Sequence, residues 1–226
     1  MSGAKGHKPS MSLLDLDLLA ATPLVRTPFD YLIVPGFLTQ EGIAAVDRSF
    51  PRIDAPGSFP TQALDYGIAF QEVLDVLQGP AMTRAMAQKF EVDLSGRPTM
   101  VTVRGRCQAK DGRIHTDSTT KIITVLIYMN DGWEAEGGRL RLLNGPDDLD
   151  DMVAEVPPQA GTLLAFRRSE NSFHGHKPFV GRRRSLQLNW VTDAGVVRHE
   201  LARHRMSARM KSLARLLGFS GKEHQA

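Results

Sequence analysis

From residue 99 to residue 191 the chain breaks into short stretches rich in β-branched and aromatic residues, each bounded by Gly, Pro, Asn or Asp. The strand candidates are TMVTVRGRCQ, TKIITVLIYMN, GGRLRLLN, GTLLAFRR and RRSLQLNWV, with no helical pattern between them. Upstream the pattern differs. FDYLIVPGFL reads as a strand running into a Pro35-Gly36 turn, and Thr39 is placed to cap a helix over QEGIAAVDRSF with Glu41 in its first turn. Residues 63–91 have helical spacing (Ile68, Phe70, Val73, Leu74, Leu77), broken at Gly79-Pro80 and resumed in AMTRAMAQKF. Helices first and many short strands afterwards predict an α+β domain whose core is a β-barrel or sandwich.

With 226 residues, 42% of them hydrophobic, the chain can bury a core for one large domain. Its apolar runs fall well short of the roughly 20 residues a membrane span needs. Asp15 and Asp17 interrupt the leucine-rich patch near the N-terminus, which argues against a secretory signal and for a short amphipathic helix after a disordered lead. Cys107 is the single cysteine, so no internal disulfide forms, which suits a reducing cytoplasm. The net charge of +3 conceals a basic last third, from Arg182-Arg183-Arg184 to Arg215.

His115 and Asp117 stand immediately before the apolar strand TKIITVLIYMN. Residues i and i+2 at a strand end point to the same side, so both can reach one ion. A third donor is available in RRSENSFHGHKPFVG, where His174 and His176 lie between two strand candidates. Two imidazoles and one carboxylate on one face of a metal leave three adjacent positions open, the arrangement of non-haem Fe(II) oxygenases. Each piece also has a plainer reading. A His-x-Asp serves in polar turns, a His-x-His in surface loops or zinc sites, and the same ligands would suit a zinc hydrolase.

The segment 112–191 resembles the double-stranded β-helix core of the Fe(II)/2-oxoglutarate-dependent dioxygenases, in their prolyl-hydroxylase-like branch. The resemblance rests on His115-Thr116-Asp117, Tyr128-Met129-Asn130, Gly137-Gly138-Arg139-Leu140 and Gly161-Thr162-Leu163-Leu164-Ala165-Phe166, in that order. His174 follows with Pro178 four positions on, then Arg184 six before Trp190. FDYLIVPGFLTQEG is similar to the family's N-terminal strand and helix. The resemblance implies a double-stranded β-helix (jelly-roll, cupin-like) core, to which the spacing adds N-terminal supporting helices and a C-terminal basic helix. It implies Fe(II) held by His115, Asp117 and His174, with His176 a neighbour facing substrate. It implies 2-oxoglutarate as cosubstrate, its distal carboxylate held by Arg184 and Tyr128, and O2 as oxidant. Arg183 is the rival anchor, because Arg183-x-Ser185 matches another motif of the superfamily.

The implied reaction hydroxylates an unactivated C–H bond of a protein prolyl residue or a small molecule, releasing succinate and CO2. Asp117, where a halogenating relative has a small residue, favours hydroxylation. The expected organisation is a lead over 1–12, a catalytic domain over 13–196 and a basic amphipathic helix and tail over 197–226. In that tail Met206, Met210, Leu213 and Leu217 share one face. The helix is expected to pack on the barrel, ahead of docking to RNA or another anionic surface. Residues 144–159 read as an acidic surface loop, and Arg167 and Arg168 as candidates to face an anionic substrate group. The rival class is a metal-bound docking module without turnover; a buried cation and tyrosine beside the metal favour the enzyme.

Overall fold

The computed structural model describes residues 13–198 and Ala202. Four helices come first: α1 (Leu16–Ala21), α2 (Gln40–Ser49), α3 (Ile68–Leu77) and α4 (Pro80–Phe90). Strand β1 (Tyr31–Val34) lies between α1 and α2, and β2 (Phe59–Pro60) between α2 and α3. The rest is β-structure: β3 (Thr99–Cys107), β4 (Lys121–Tyr128), β5 (Leu140–Leu143), β6 (Met152–Val156), β7 (Leu163–Arg167), β8 (His174–Gly175) and β9 (Gly181–Val191).

Local signals fix the helix ends. The Thr39 hydroxyl accepts the Gly42 amide proton at 3.0 Å, the expected cap of α2. Pro80 occupies the first turn of α4, where its missing N–H costs nothing. Asp193 accepts from the amides of Gly195 and Val196, where residues 194–198 turn helical. The rest of the expected basic helix lies outside the described residues.

The strands form two antiparallel sheets. The major sheet has the order β1-β7-β4-β9-β3-β2 and the minor sheet β6-β5-β8. One face of the major sheet carries Val101, Val103, Ile123, Val125, Ile127, Leu186, Leu188 and Trp190, packed against Phe70, Leu74, Met82 and Phe90 of the helices. The other face meets the minor sheet through Tyr128, Leu164 and Phe166 against Leu140, Leu142 and Val156. Each fully buried side chain of this size contributes about 1.5–3 kcal/mol. The minor sheet covers only the β1-β7-β4 end, so β4 is apolar on both faces from Val125 to Tyr128 while β9 alternates. On β9, Ser185, Gln187 and Asn189 turn away from the helices. Strand β6 was not expected; its residues fall within the presumed acidic loop, because Arg141 on β5 pairs with Glu155 and Asp150 and draws the segment into the sheet.

Asn130 locks the two sheet strands nearest the site. Its Nδ2 donates to the carbonyls of Pro158 at 2.6 Å and Arg184 at 3.0 Å, and its Oδ1 accepts the Arg184 amide proton at 2.6 Å. Asn130→Ala leaves these buried groups unpaired and is expected to cost about 2–4 kcal/mol, read from chemical denaturation.

Candidate active site

The loop before β4 and strand β8 meet in a two-residue bridge. The His115 amide donates to the His174 carbonyl and the His174 amide to the His115 carbonyl, each at 3.0 Å. The imidazole rings stand 4.3 Å apart between centroids. Asp117 turns to the same point, and one ligand atom from each of His115, Asp117 and His174 lies within 4.8 Å of the others. Among the described residues this is the one cluster of its kind.

Hydrogen bonds orient all three donors. His115 Nδ1 faces the Arg113 carbonyl at 2.8 Å and His174 Nδ1 the Ser172 carbonyl at 3.0 Å. Those carbonyls call for a proton on Nδ1, which leaves each Nε2 lone pair free for a metal. Burial pushes the His174 pKa down to about 4, so the ring is neutral near pH 7. Burial alone would raise the Asp117 pKa, but the Lys121 ammonium, His174 and hydrogen bonds from Lys121 and Thr124 hold it below the usual carboxylate range. Lys121 Nζ lies 2.7 Å from one carboxylate oxygen, and Thr124 donates to the other. Asn189 Nδ2 donates to the Thr124 hydroxyl at 2.7 Å and so directs its proton to Asp117. Thr124→Val is expected to weaken metal binding about 10–100-fold, measured by titration with Fe(II) under anaerobic conditions.

His176 is also buried, and burial with the nearby Arg183 charge lowers its pKa to about 4. An unfolded histidine takes up a proton near pH 6.5; His174 and His176 in the folded chain do so only near pH 4. The folded state therefore binds fewer protons across that window, and metal-free protein is expected to lose stability as pH falls from about 6.5 towards 4. Denaturation midpoints recorded against pH test this; a flat profile would mean that both rings are solvated.

The donors open into a cavity of about 210 Å³ that includes His176, Arg104 and Arg183 in its wall. Arg184, expected here from its spacing to Trp190, is absent from this wall. Consecutive strand residues face opposite ways, and Arg184 shares the helix-facing side with Leu186, Leu188 and Trp190. Its guanidinium pairs with Asp47 of α2 at 2.6 Å and lies over the Phe50 ring. Arg183 instead turns towards the donors, its guanidinium 5.3 Å from the centre of the Tyr128 ring. The alternation Arg183, Ser185, Gln187, Asn189 was the available signal, since polar positions on a half-covered strand face the uncovered side.

Arg183 is 5% exposed, and among the described residues it has no carboxylate partner. Its Nε donates to the Gly138 carbonyl at 2.7 Å. Gly138 has φ +78°, and a Cβ there would stand 2.8 Å from Trp133, which explains the glycine at this turn. The Tyr128 hydroxyl is fully buried and has no partner at hydrogen-bonding geometry, although the Arg183 guanidinium stands near it. Burial raises its pKa while Arg183 pulls the other way, so the phenol keeps its proton and remains a donor. An unpaired buried cation beside an unpaired buried hydroxyl is costly unless an anion joins them. Arg168 donates to the Asp117 carbonyl and pairs with Glu170, and Arg167 is exposed; both line a surface hollow outside this cavity.

Residues 106–192 match the family model of the 2OG-Fe(II) oxygenase superfamily. This region is a 2OG-Fe(II) oxygenase domain. A dioxygenase of that superfamily would use Fe(II), 2-oxoglutarate and O2, and the His115, Asp117 and His174 cluster, the Arg183 guanidinium and the unpartnered Tyr128 hydroxyl fit that requirement. The fold is similar to that of a prolyl-4-hydroxylase from Pseudomonas putida, at 20% identity over 78% of this chain and 97% of that one, with TM-score 0.52. Also similar are a prolyl 4-hydroxylase from Phytophthora capsici (17% identity, 80% and 62% covered, TM-score 0.48) and a viral collagen prolyl hydroxylase from Paramecium Bursaria Chlorella virus-1 (13%, 72% and 96%, 0.45). No curated protein matches the chain. No described helix is long and apolar enough to cross a membrane.

Proposed function

We propose that His115, Asp117 and His174 hold Fe(II), and that Arg183 with Tyr128 holds the distal carboxylate of 2-oxoglutarate. The observation that carries this reading is Arg183: buried, turned towards the donors and without a carboxylate of its own. A guanidinium stays charged and gives a carboxylate two parallel hydrogen bonds, and the Tyr128 hydroxyl supplies a third. The bound metal and cosubstrate supply an oxidant strong enough for an unactivated C–H bond. The chain supplies binding, orientation and exclusion of water. His115 and His174 present their Nε2 atoms, Thr124 and Lys121 keep Asp117 ionised, and the minor sheet shields one flank.

The substrate we propose is a prolyl residue of a polypeptide. A trough of about 370 Å³ runs from His115, Asp117 and Lys121 across the uncovered face of β3 and β9. Thr102 and Gln187 line it with a hydroxyl and an amide group, which can pair with the amides of an extended chain. A small polar metabolite would use the same groups, and the 210 Å³ of the metal cavity favours that second reading. The free, buried Cys107 suits a reducing cytoplasm. Anaerobic Fe(II) and 2-oxoglutarate should give the weak visible charge-transfer band expected of such a chelate. Succinate release stimulated by proline-containing peptides, and not by free amino acids, supports the polypeptide reading; the reverse selects the metabolite. Bound metal without the band would overturn the proposed clamp.

A further inference from the structure

The face of the major sheet turned away from the metal donors holds a second cavity, of about 320 Å³, between α2, the loop after it and the near ends of β3 and β9. Its wall carries four arginines, Arg52, Arg106, Arg182 and Arg184, against two carboxylates, Asp47 and Asp54, an excess of two positive charges. Arg52 pairs with Asp54 at 3.0 Å and Arg184 with Asp47 at 2.6 Å. Arg106 and Arg182 have no carboxylate among the described residues, yet they stand directly opposite each other in the β3–β9 register. Like charges facing across a strand pair repel, and that arrangement is destabilising on its own.

A bulge produces this opposition. The register shifts by one residue between Arg104 and Arg106, so Arg104 lines the metal cavity while Arg106 is re-aimed to the outer face. The intervening Gly105 lets the loop pack close, for a Cβ there would stand 2.6 Å from the Ile53 carbonyl oxygen. Arg184 adds a second, separate signal. Its side chain is only 8% exposed, and its Nε is buried in this wall without a hydrogen-bond partner. A buried donor is left unpaired at a cost that a bound acceptor would remove.

We propose that Arg106, Arg182 and Arg184 form a binding site for a phosphoryl group. The surplus of two charges matches a doubly charged oxyanion, and tetrahedral oxygens can accept from three arginines that approach from different strand positions. The apolar part of the wall, Phe50, Pro51 and Ile53, leaves room for the rest of a small phosphate ester. This site is independent of how the metal cavity works.

Full-length protein titrated calorimetrically with inorganic phosphate and with phenyl phosphate, at ionic strength held constant with chloride, tests the site. Saturable one-to-one binding is expected, about tenfold weaker in Arg106→Gln and in Arg182→Gln and unchanged in Arg183→Gln. Both outer-face variants should keep wild-type affinity for 2-oxoglutarate. Tighter binding of phenyl phosphate assigns the site to an esterified phosphoryl group, and equal binding to free phosphate. Absence of saturable binding, or binding lost in Arg183→Gln and kept in Arg106→Gln and Arg182→Gln, overturns the proposal.

Discussion

Arg183→Ala is expected to weaken 2-oxoglutarate binding by more than about 100-fold, while Arg184→Ala changes it by less than about threefold. The two side chains are adjacent in sequence and both are buried, yet their surroundings differ. Arg184 is neutralised by Asp47 and turned towards α2. Arg183 lies in the wall of the metal cavity beside Tyr128, with only the Gly138 carbonyl as acceptor. Removing the partner of a buried ion costs about 3–5 kcal/mol, which sets the larger figure. Titrating the visible chelate band with 2-oxoglutarate reads both variants. A loss confined to Arg184→Ala would refute Arg183 as the anchor. Tyr128→Phe, which removes one hydroxyl, should fall between them at about tenfold.

His174→Ala is expected to lower Fe(II) affinity by well over the 10–100-fold that loss of an orienting neighbour costs, because a ligand itself is gone. His176→Ala should leave metal binding close to wild type, since His176 stands outside the three-donor cluster. His174 also packs on Phe166 at 4.8 Å, so circular dichroism must show that the variant is folded before its metal titration is interpreted. Retained metal in folded His174→Ala would mean that other groups hold the ion.

The cluster of His115, Asp117 and His174 was legible because its grouping is local. His-x-Asp leads directly into β4, and the later histidine needs only one bridge, His115 to His174, to complete the set. The strands of the major sheet were legible for a similar reason, their apolar runs being long and β-branched. Strand β6 was not, because its sequence is acidic and its order depends on Arg141, a residue on another strand. The spacing to Trp190 pointed to the arginine on the far face for an instructive reason. Counting six residues back from Trp190 keeps the parity of Trp190, and parity on a strand selects a face. Trp190 packs in the helix-side core, so the count selected the helix side.

Periodicity, turn residues and donor chemistry thus set the elements, their order and the cluster that could hold a metal, since each depends on residues close together in the chain. Which face of β9 looks at the metal depended on the whole assembly. The helices claim one side of the sheet, Asn130 fixes β9 at Arg184, and the bulge at Gly105 shifts its partner strand. Those contacts join residues far apart in sequence, and a side chain's direction relative to a distant element is not encoded in its own neighbourhood. The same alternation that gives Arg183 to the metal cavity gives Arg182 and Arg184 to the opposite face.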